Sequence, residues 1–327
     1  MKGWDYYEEG DVVLLNDSYI AGTHLNDITV IMPIFWEGKR IGFAPSRAHW
    51  LDVGAKDAGS PTDAREIYQE GMRWPPTKVY RKGVAQDDIL AFMRANSRFG
   101  DALIGDLHAQ IAAGRTGEMR MRALIDRFGY ETVQAARDDI FAQSAELERQ
   151  AILAIPDGEY TAEGALDNDG ISTDPVPVKL TVRVSGETME MDLTGSSKQT
   201  VGGVNCGFTQ TVSALRVAFK LLINPERPVD GGTFRALNIV APEGTIFHAA
   251  APAACSWYFS SLGMLIDMVV KALAPALPQR AAAAHYGDSM VTIFSGTDAR
   301  NDDAFFVAVE ANCGGWGAWN GGDGQDC

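Results

Sequence analysis

The chain has 327 residues with 46% hydrophobic and 22% charged content, enough for one large domain or two and for a core of ordinary size. Its net charge of −15, with no Lys- or Arg-rich tract, argues against nucleic acid or an anionic membrane as partner, because both are held by clustered cations. The four cysteines (Cys206, Cys255, Cys313, Cys327) form no C-x-x-C, and no signal-type opening or membrane-length apolar run occurs, so the chain reads as soluble and cytoplasmic with reduced thiols. Residues 11–15 (DVVLL), 28–35 (ITVIMPIF) and 40–44 (RIGFA) read as short strands rich in branched residues, with "WEGK" (36–39) as a hairpin turn. Residues 54–84, with "GSPTD" and "WPPTK", lack periodicity and read as an irregular excursion.

A helical region follows over 87–114, where Ile89, Leu90, Met93, Phe99, Leu103, Leu107 and Ile111 recur at three- and four-residue intervals. A second long helix is expected within 118–153, interrupted at Gly129 and restarting near Glu131. His108 reads as a packing or surface histidine. From Gly158 the pattern turns to period two in "GEYTAEGAL" and "VKLTVRVSGETMEMDLTGSS", around a turn at Ser185-Gly186. A helix near 208–223, a strand at 233–240, a helix at 256–275 and strands near 290–296 and 304–310 complete the pattern. The expected fold is α+β: mixed β-sheets, a long helical segment in the first half and a β-rich second half. Its regions are 1–84 (β, with the long loop), 85–155 (helical) and 156–327 (mixed), packed as one unit.

The chemistry concentrates in "NDSYIAGTHLND" (16–27) and "SRAHWLDVG" (46–54), where His24/Asp27 and His49/Asp52 repeat an H-x-x-D spacing at strand ends. Two histidines and a carboxylate suit zinc, iron or manganese and leave positions open for water or substrate. His24, Asp27 and His49 supply such a set, with Asp17 and Asp52 as further ligands or supports. The alternative is that Asp17 and Asp27 satisfy turn backbone while His24 caps a strand. Cys255-Ser256 and His248 lack a G-x-S-x-G elbow, and Cys206 and Cys255 read as buried and inert. The chain carries no G-x-x-x-x-G-K-[ST] phosphate loop, and "GGWGAWNGG" is not a dinucleotide fingerprint. "NDS" at Asn16 matches a glycosylation sequon, a match without meaning unless the chain is secreted.

Three stretches, "GDVVLLNDSYIAGTHLNDITVIMPIF", "GFAPSRAHWLDVG" and "REIYQEGMRWPPTKVY", resemble the opening of the hydantoinase B/oxoprolinase family. The resemblance continues through "GDLHAQIAA", "MDLTGSS", "GGVNC", "PVDGGTFRALNIVAPEGTIF" and "GGWGAWNGGDGQD". It implies a metal (zinc, manganese or iron) on His24, Asp27 and His49, with Asp17 or Asp52 orienting a ligand imidazole or accepting a proton. It further implies a hetero-oligomer in which an A-type subunit uses ATP and Mg to phosphorylate a cyclic amide of hydantoin or 5-oxoproline type. The metal would then activate the attacking water. A carboxylase-type relative of the acetone and acetophenone carboxylase kind, or a non-catalytic remnant, are the other readings. Ser18 stands where proline is usual, Ala21 where glycine is usual, and Trp50 where a second histidine is common; the last reads as a changed substrate pocket. Set against the family pattern the chain looks like a fragment, truncated at both ends, and residues flanking 11–15 and 304–319 are expected to expose apolar surface.

Overall fold

Branched residues dominate the first strands, and they build a five-stranded antiparallel sheet in the order β3-β2-β1-β4-β5. Its strands are β1 (Val12–Leu15), β2 (Asp27–Trp36), β3 (Lys39–His49), β4 (Thr77–Arg81) and β5 (Val84–Ala85). The computed structural model describes residues 3–287, 290–312 and 314–326. Glu37 and Gly38, both at positive φ (46° and 75°), make the two-residue turn between β2 and β3, where such a turn matches strand twist. The strand β4 was not visible in the sequence: it lies in the stretch that reads as an irregular excursion, yet Val79 is fully buried and the strand pairs with β1. The pair Pro75–Pro76 and a mostly polar composition hide it. Because β1 is flanked by β2 and β4, its four residues are all buried, and the apolar exposure expected beside 11–15 is absent among the described residues.

Three helices follow: α1 (Asp87–Ala95), α2 (Gly100–Phe128) and α3 (Tyr130–Leu153). Gly129 breaks the run as expected, but α2 passes unbroken through 114–118. A Cβ on Gly114 would lie 2.5 Å from Met32 Sδ, so this glycine marks where the helix lies against β2. Leu103, Leu107 and Ile111 of α2 pack with Met93 of α1 against Leu14, Ile28, Val30 and Trp50 in a first apolar cluster. Each such fully buried side chain contributes roughly 1.5–3 kcal/mol.

The second half holds β6 (Gly158–Leu166), β7 (Val176–Ser185), β8 (Thr188–Asp192), α4 (Phe208–Leu222), β9 (Leu237–Val240) and α5 (Tyr258–Leu273). The sheet β6-β7-β8-β9 is mixed, since β8 and β9 run parallel. Its inner face, α4, α5 and the end of α3 at Ile152 form a second cluster around Leu180, Val182, Met191, Phe219 and Leu265. The helical stretch is thus shared between the two clusters. Last come β10 (Met290–Asp298) and β11 (Ala304–Asn312), a two-stranded ribbon. Here the expected apolar exposure is present: Phe305, Phe306, Val309, Trp316 and Trp319 are each 40% exposed or more. The whole is an α+β fold, and among the described residues no helix is long and apolar enough to cross a membrane.

Candidate functional site

One irregularity in the first hairpin decides where its chemistry sits. From the turn, Trp36 faces Lys39 and Phe35 faces Arg40; after that the register shifts by one, so that Ile34 faces Gly42. The extra residue, Ile41, is a β-bulge, and from there the ladder runs on to pair Asp27 with His49. Paired straight through, with Ile41 opposite Ile34, the same sequence would set Ala48 against Asp27, because a one-residue slip exchanges the faces of a strand. Asn26 and Trp50 extend the ladder past this pair, with Trp50 N donating to Asn26 O and Asn26 Nδ2 to Trp50 O, both at 2.8 Å.

His24 reaches the same point from the turn before β2. Asp27 N donates to His24 O at 3.1 Å, so residues 24 and 27 lie on one side of a single turn. The loop leading there is fixed by polar groups: Asn16 Nδ2 donates to Leu25 O and Met72 O, and Arg47 Nη2 donates to Ala21 O. Ser18 donates its hydroxyl to Thr23 O. Asn16 is wholly buried, which removes it as a glycosylation acceptor.

The three side chains converge. His24 Nε2 lies 3.0 Å from His49 Nδ1, and Asp27 Oδ1 lies 3.2 Å from each. The set is graded in exposure, at 12% for His24, 15% for Asp27 and 45% for His49. Around it, Ser256 O accepts from His24 Nδ1 at 3.4 Å, and Asp27 Oδ2 accepts from the hydroxyls of Thr23 and, at 3.4 Å, Tyr258. The ring of Tyr258 meets His24 edge-on at 5.3 Å. Burial pushes the Asp27 carboxyl up, but the hydrogen bonds to His24 and His49 outweigh it and hold Asp27 well below the usual carboxylate range. Donors that an ion holds at right angles at about 2.1 Å stand about 3.0 Å apart, against about 3.4 Å in a tetrahedron. The observed edges, one of 3.0 Å and two of 3.2 Å, lie between these values, so the three donors fit three positions around a single ion.

The other expected site residues are employed elsewhere. Asp17 Oδ1 accepts from Tyr19 N at 3.0 Å, and its backbone carbonyl closes the turn to Gly22. Asp52 is fully buried and binds Arg98. Neither carboxylate joins the cluster, so the geometry lends no support to the catalytic roles read for them. Trp50 is a core residue, 1% exposed with its indole N–H on Gln110 Oε1, which overturns its reading as a pocket residue. His108 is a surface partner of the Tyr80 hydroxyl. Cys206 and Cys255 are buried free thiols; Cys313 and Cys327 lie outside the described residues. Thr23, Ser256 and Tyr258 carried no signal of their own, since two of them lie some 230 positions along the chain from His24. A separate cavity of about 990 Å³ runs along α5, lined by Trp257, Met264, Asp267 and His285.

A mixed-sheet α+β chain with two imidazoles and a carboxylate at a hairpin end is the kind of scaffold that presents a small polar centre to solvent. The hydantoinase B/oxoprolinase family pattern matches residues 1–327, and the chain belongs to that family. It is 34% identical to a protein of Pseudomonas sp. (strain NS671) provisionally named as the B-type subunit of a D-/L-hydantoinase, over 98% of this chain and 56% of that one. The solved ATP-dependent caprolactamase of Pseudomonas jessenii has the same fold, with TM-score 0.89 and 27% identity over 98% of this chain and 56% of its own. Acetone carboxylase in its nucleotide-free form matches in fold alone, with TM-score 0.85 and 20% identity over 97% of this chain and 44% of its own. The chain spans about half the length of some of the curated relatives it matches and 20–29% of the length of others, the 5-oxoprolinases among them.

Proposed function

We propose that this chain carries the metal centre of a B-type subunit in an ATP-dependent enzyme that opens a cyclic amide, with His24, Asp27 and His49 as the metal ligands. The observation that supports this most is the triangle of donor atoms with edges of 3.0–3.2 Å. What a divalent ion of the zinc, manganese or iron type supplies in such a place is Lewis acidity. The chain's own residues prepare that place. The bond to Ser256 O keeps the proton of His24 on Nδ1 and turns the Nε2 lone pair inward. Thr23 and Tyr258 engage Asp27 Oδ2, which leaves Oδ1 to the cluster. His49, the most exposed of the three, marks the side from which substrate and water arrive.

An amide ring is a poor electrophile, because resonance places electron density on its oxygen. Coupling to ATP overcomes this by turning that oxygen into a leaving group. The partner proposed for that step is an A-type subunit, and relatives whose names mark them as the B-type or beta member of an enzyme support it. The test is ATP turnover by this chain mixed with such a partner, offered hydantoin, 5-oxoproline, caprolactam, or a ketone with bicarbonate. ATP hydrolysis coupled to ring opening, lost in H49A, is the expected result. Turnover with the ketone and bicarbonate alone would move the chain to the carboxylase class, and undiminished ring opening by H49A would remove the metal reading.

A further inference from the structure

The stretch "REIYQEGMRWPP" (65–76) contributes no residue to the centre. Within it Glu70 is 1% exposed. Burying a carboxyl is unfavourable unless its oxygens are used. Here one oxygen is used twice: Oε1 accepts from Cys255 N at 2.6 Å and from Ser256 N at 2.9 Å. We infer that Glu70 is a positioning residue of the centre, acting through the Cys255–Ser256 backbone to fix which nitrogen His24 presents. The inference rests on the metal reading above and adds a residue to it.

The backbone that Glu70 grips has one free carbonyl with a task. Ser256 is held at its own N–H by Glu70, and the next N–H, that of Trp257, donates to Gly203 O at 2.9 Å. Between these two fixed points the Ser256 carbonyl meets His24 Nδ1 at 3.4 Å. Gly203 is part of the restraint, since a Cβ there would lie 2.5 Å from Ser256 Oγ and push the segment away. Upstream, the Tyr19 hydroxyl donates to Ala253 O and Asn205 Nδ2 to Ala254 O at 2.8 Å. With the segment immobile, the imidazole keeps a proton on Nδ1 and turns Nε2 to the point it shares with His49 Nδ1 and Asp27 Oδ1, where it could serve as the ligand atom of an ion. Released, the carbonyl would no longer choose between the two tautomers, and affinity would fall as it does when a group supporting a ligand is lost.

Three substitutions separate positioning from mere packing. E70Q keeps the Oε1 acceptor in place; E70D draws it back by roughly one carbon–carbon bond, ~1.5 Å; E70L removes it. The measurement is cobalt(II) titration of the full chain, followed by the visible absorption that reports ligand geometry, with cooperative unfolding as the control for fold. E70Q is expected to bind within about threefold of wild type, while E70D and E70L bind about 10–100-fold more weakly with an altered spectrum. Wild-type affinity and spectrum in E70D or E70L would overturn the inference. So would loss of the fold in both, which would assign Glu70 a purely structural role. H49A keeps the two readings apart: if it binds cobalt like wild type, the metal reading fails, whereas if it loses cobalt and E70D does not, only the role of Glu70 fails.

Discussion

The buried carboxylate of Asp52 receives hydrogen bonds from Ser97 Oγ, Arg98 N and Arg98 Nη1 at 3.1, 2.6 and 2.7 Å, and so ties the loop after β3 to the start of α2. Removing it in D52A strands these donors, with an expected loss on the order of 2–4 kcal/mol of stability, since Arg98 is partly exposed and regains water. Metal affinity should stay within a few-fold of wild type. H49A should show the reverse, a near-native melt with metal binding lost; isothermal titration and urea unfolding of the two variants read both effects. A D52A protein that loses metal without losing stability would return Asp52 to the site. The two H-x-x-D intervals in the sequence therefore mean different things. At 24–27 the interval spans one turn and both side chains face the same point. At 49–52 it leaves the end of a strand, and the second carboxylate points into the core. Spacing alone carries no information about that difference.

At the level of elements, the bulge at Ile41 is the device that sets His49 opposite Asp27. Inserting one residue between Ala44 and Pro45, with the Glu37–Gly38 turn and the bulge kept, should shift the rest of the ladder by one and bring Ala48 to face Asp27. The expected outcome is a folded chain, by circular dichroism, whose affinity for zinc or manganese has fallen at least 100-fold. Unchanged affinity would mean that the hairpin re-forms its register from the open end and that the bulge has no such role. The branched residues of β2 and the "WEGK" turn were legible in the sequence, as were β6 to β8, α4, α5 and the final ribbon. The bulge was not, because an added residue in a strand leaves composition and propensity unchanged. For the same reason β3 runs to His49, five residues beyond the segment that its branched residues suggest. At 114–118 the glycines read as a helix end, whereas α2 continues there because its neighbour lies so close.

Over the whole molecule, the site lies where the two apolar clusters meet: β2, β3 and the His24 loop come from the first, and residues 253–258 lead into α5 of the second. Its supporting residues come from far apart in the chain, which is why the donor set could be read from the sequence and its surroundings could not. Glu70 joins the two sides, and this couples stability to pH. Burial pushes its carboxyl up to about 8, against the opposing pull of the Cys255 and Ser256 N–H groups. Its neighbours Tyr19 and Cys255 are pushed up as well by burial and stay protonated in this range. The folded state thus holds a proton that the unfolded state gives up near the ordinary value of 4.5. That contribution is fully present below pH about 4.5, declines as pH rises, and is lost above about 8. E70Q cannot ionise, so its stability relative to wild type should rise by on the order of 3–5 kcal/mol between pH 5 and 8.5 in urea melts. A pH-independent difference would mean that Glu70 is ionised in the folded protein.

The claim on which the rest depends is that His24, Asp27 and His49 hold a metal ion together. Its most direct test is the metal content of the purified chain after equilibration with zinc, manganese or iron(II) and removal of the excess, for wild type beside H24A, D27A and H49A. The account predicts about one equivalent of one of these metals in wild type. It predicts well under a tenth of that in each variant, all four proteins remaining folded. A folded wild type that retains no metal, or variants that retain as much as wild type, would contradict it.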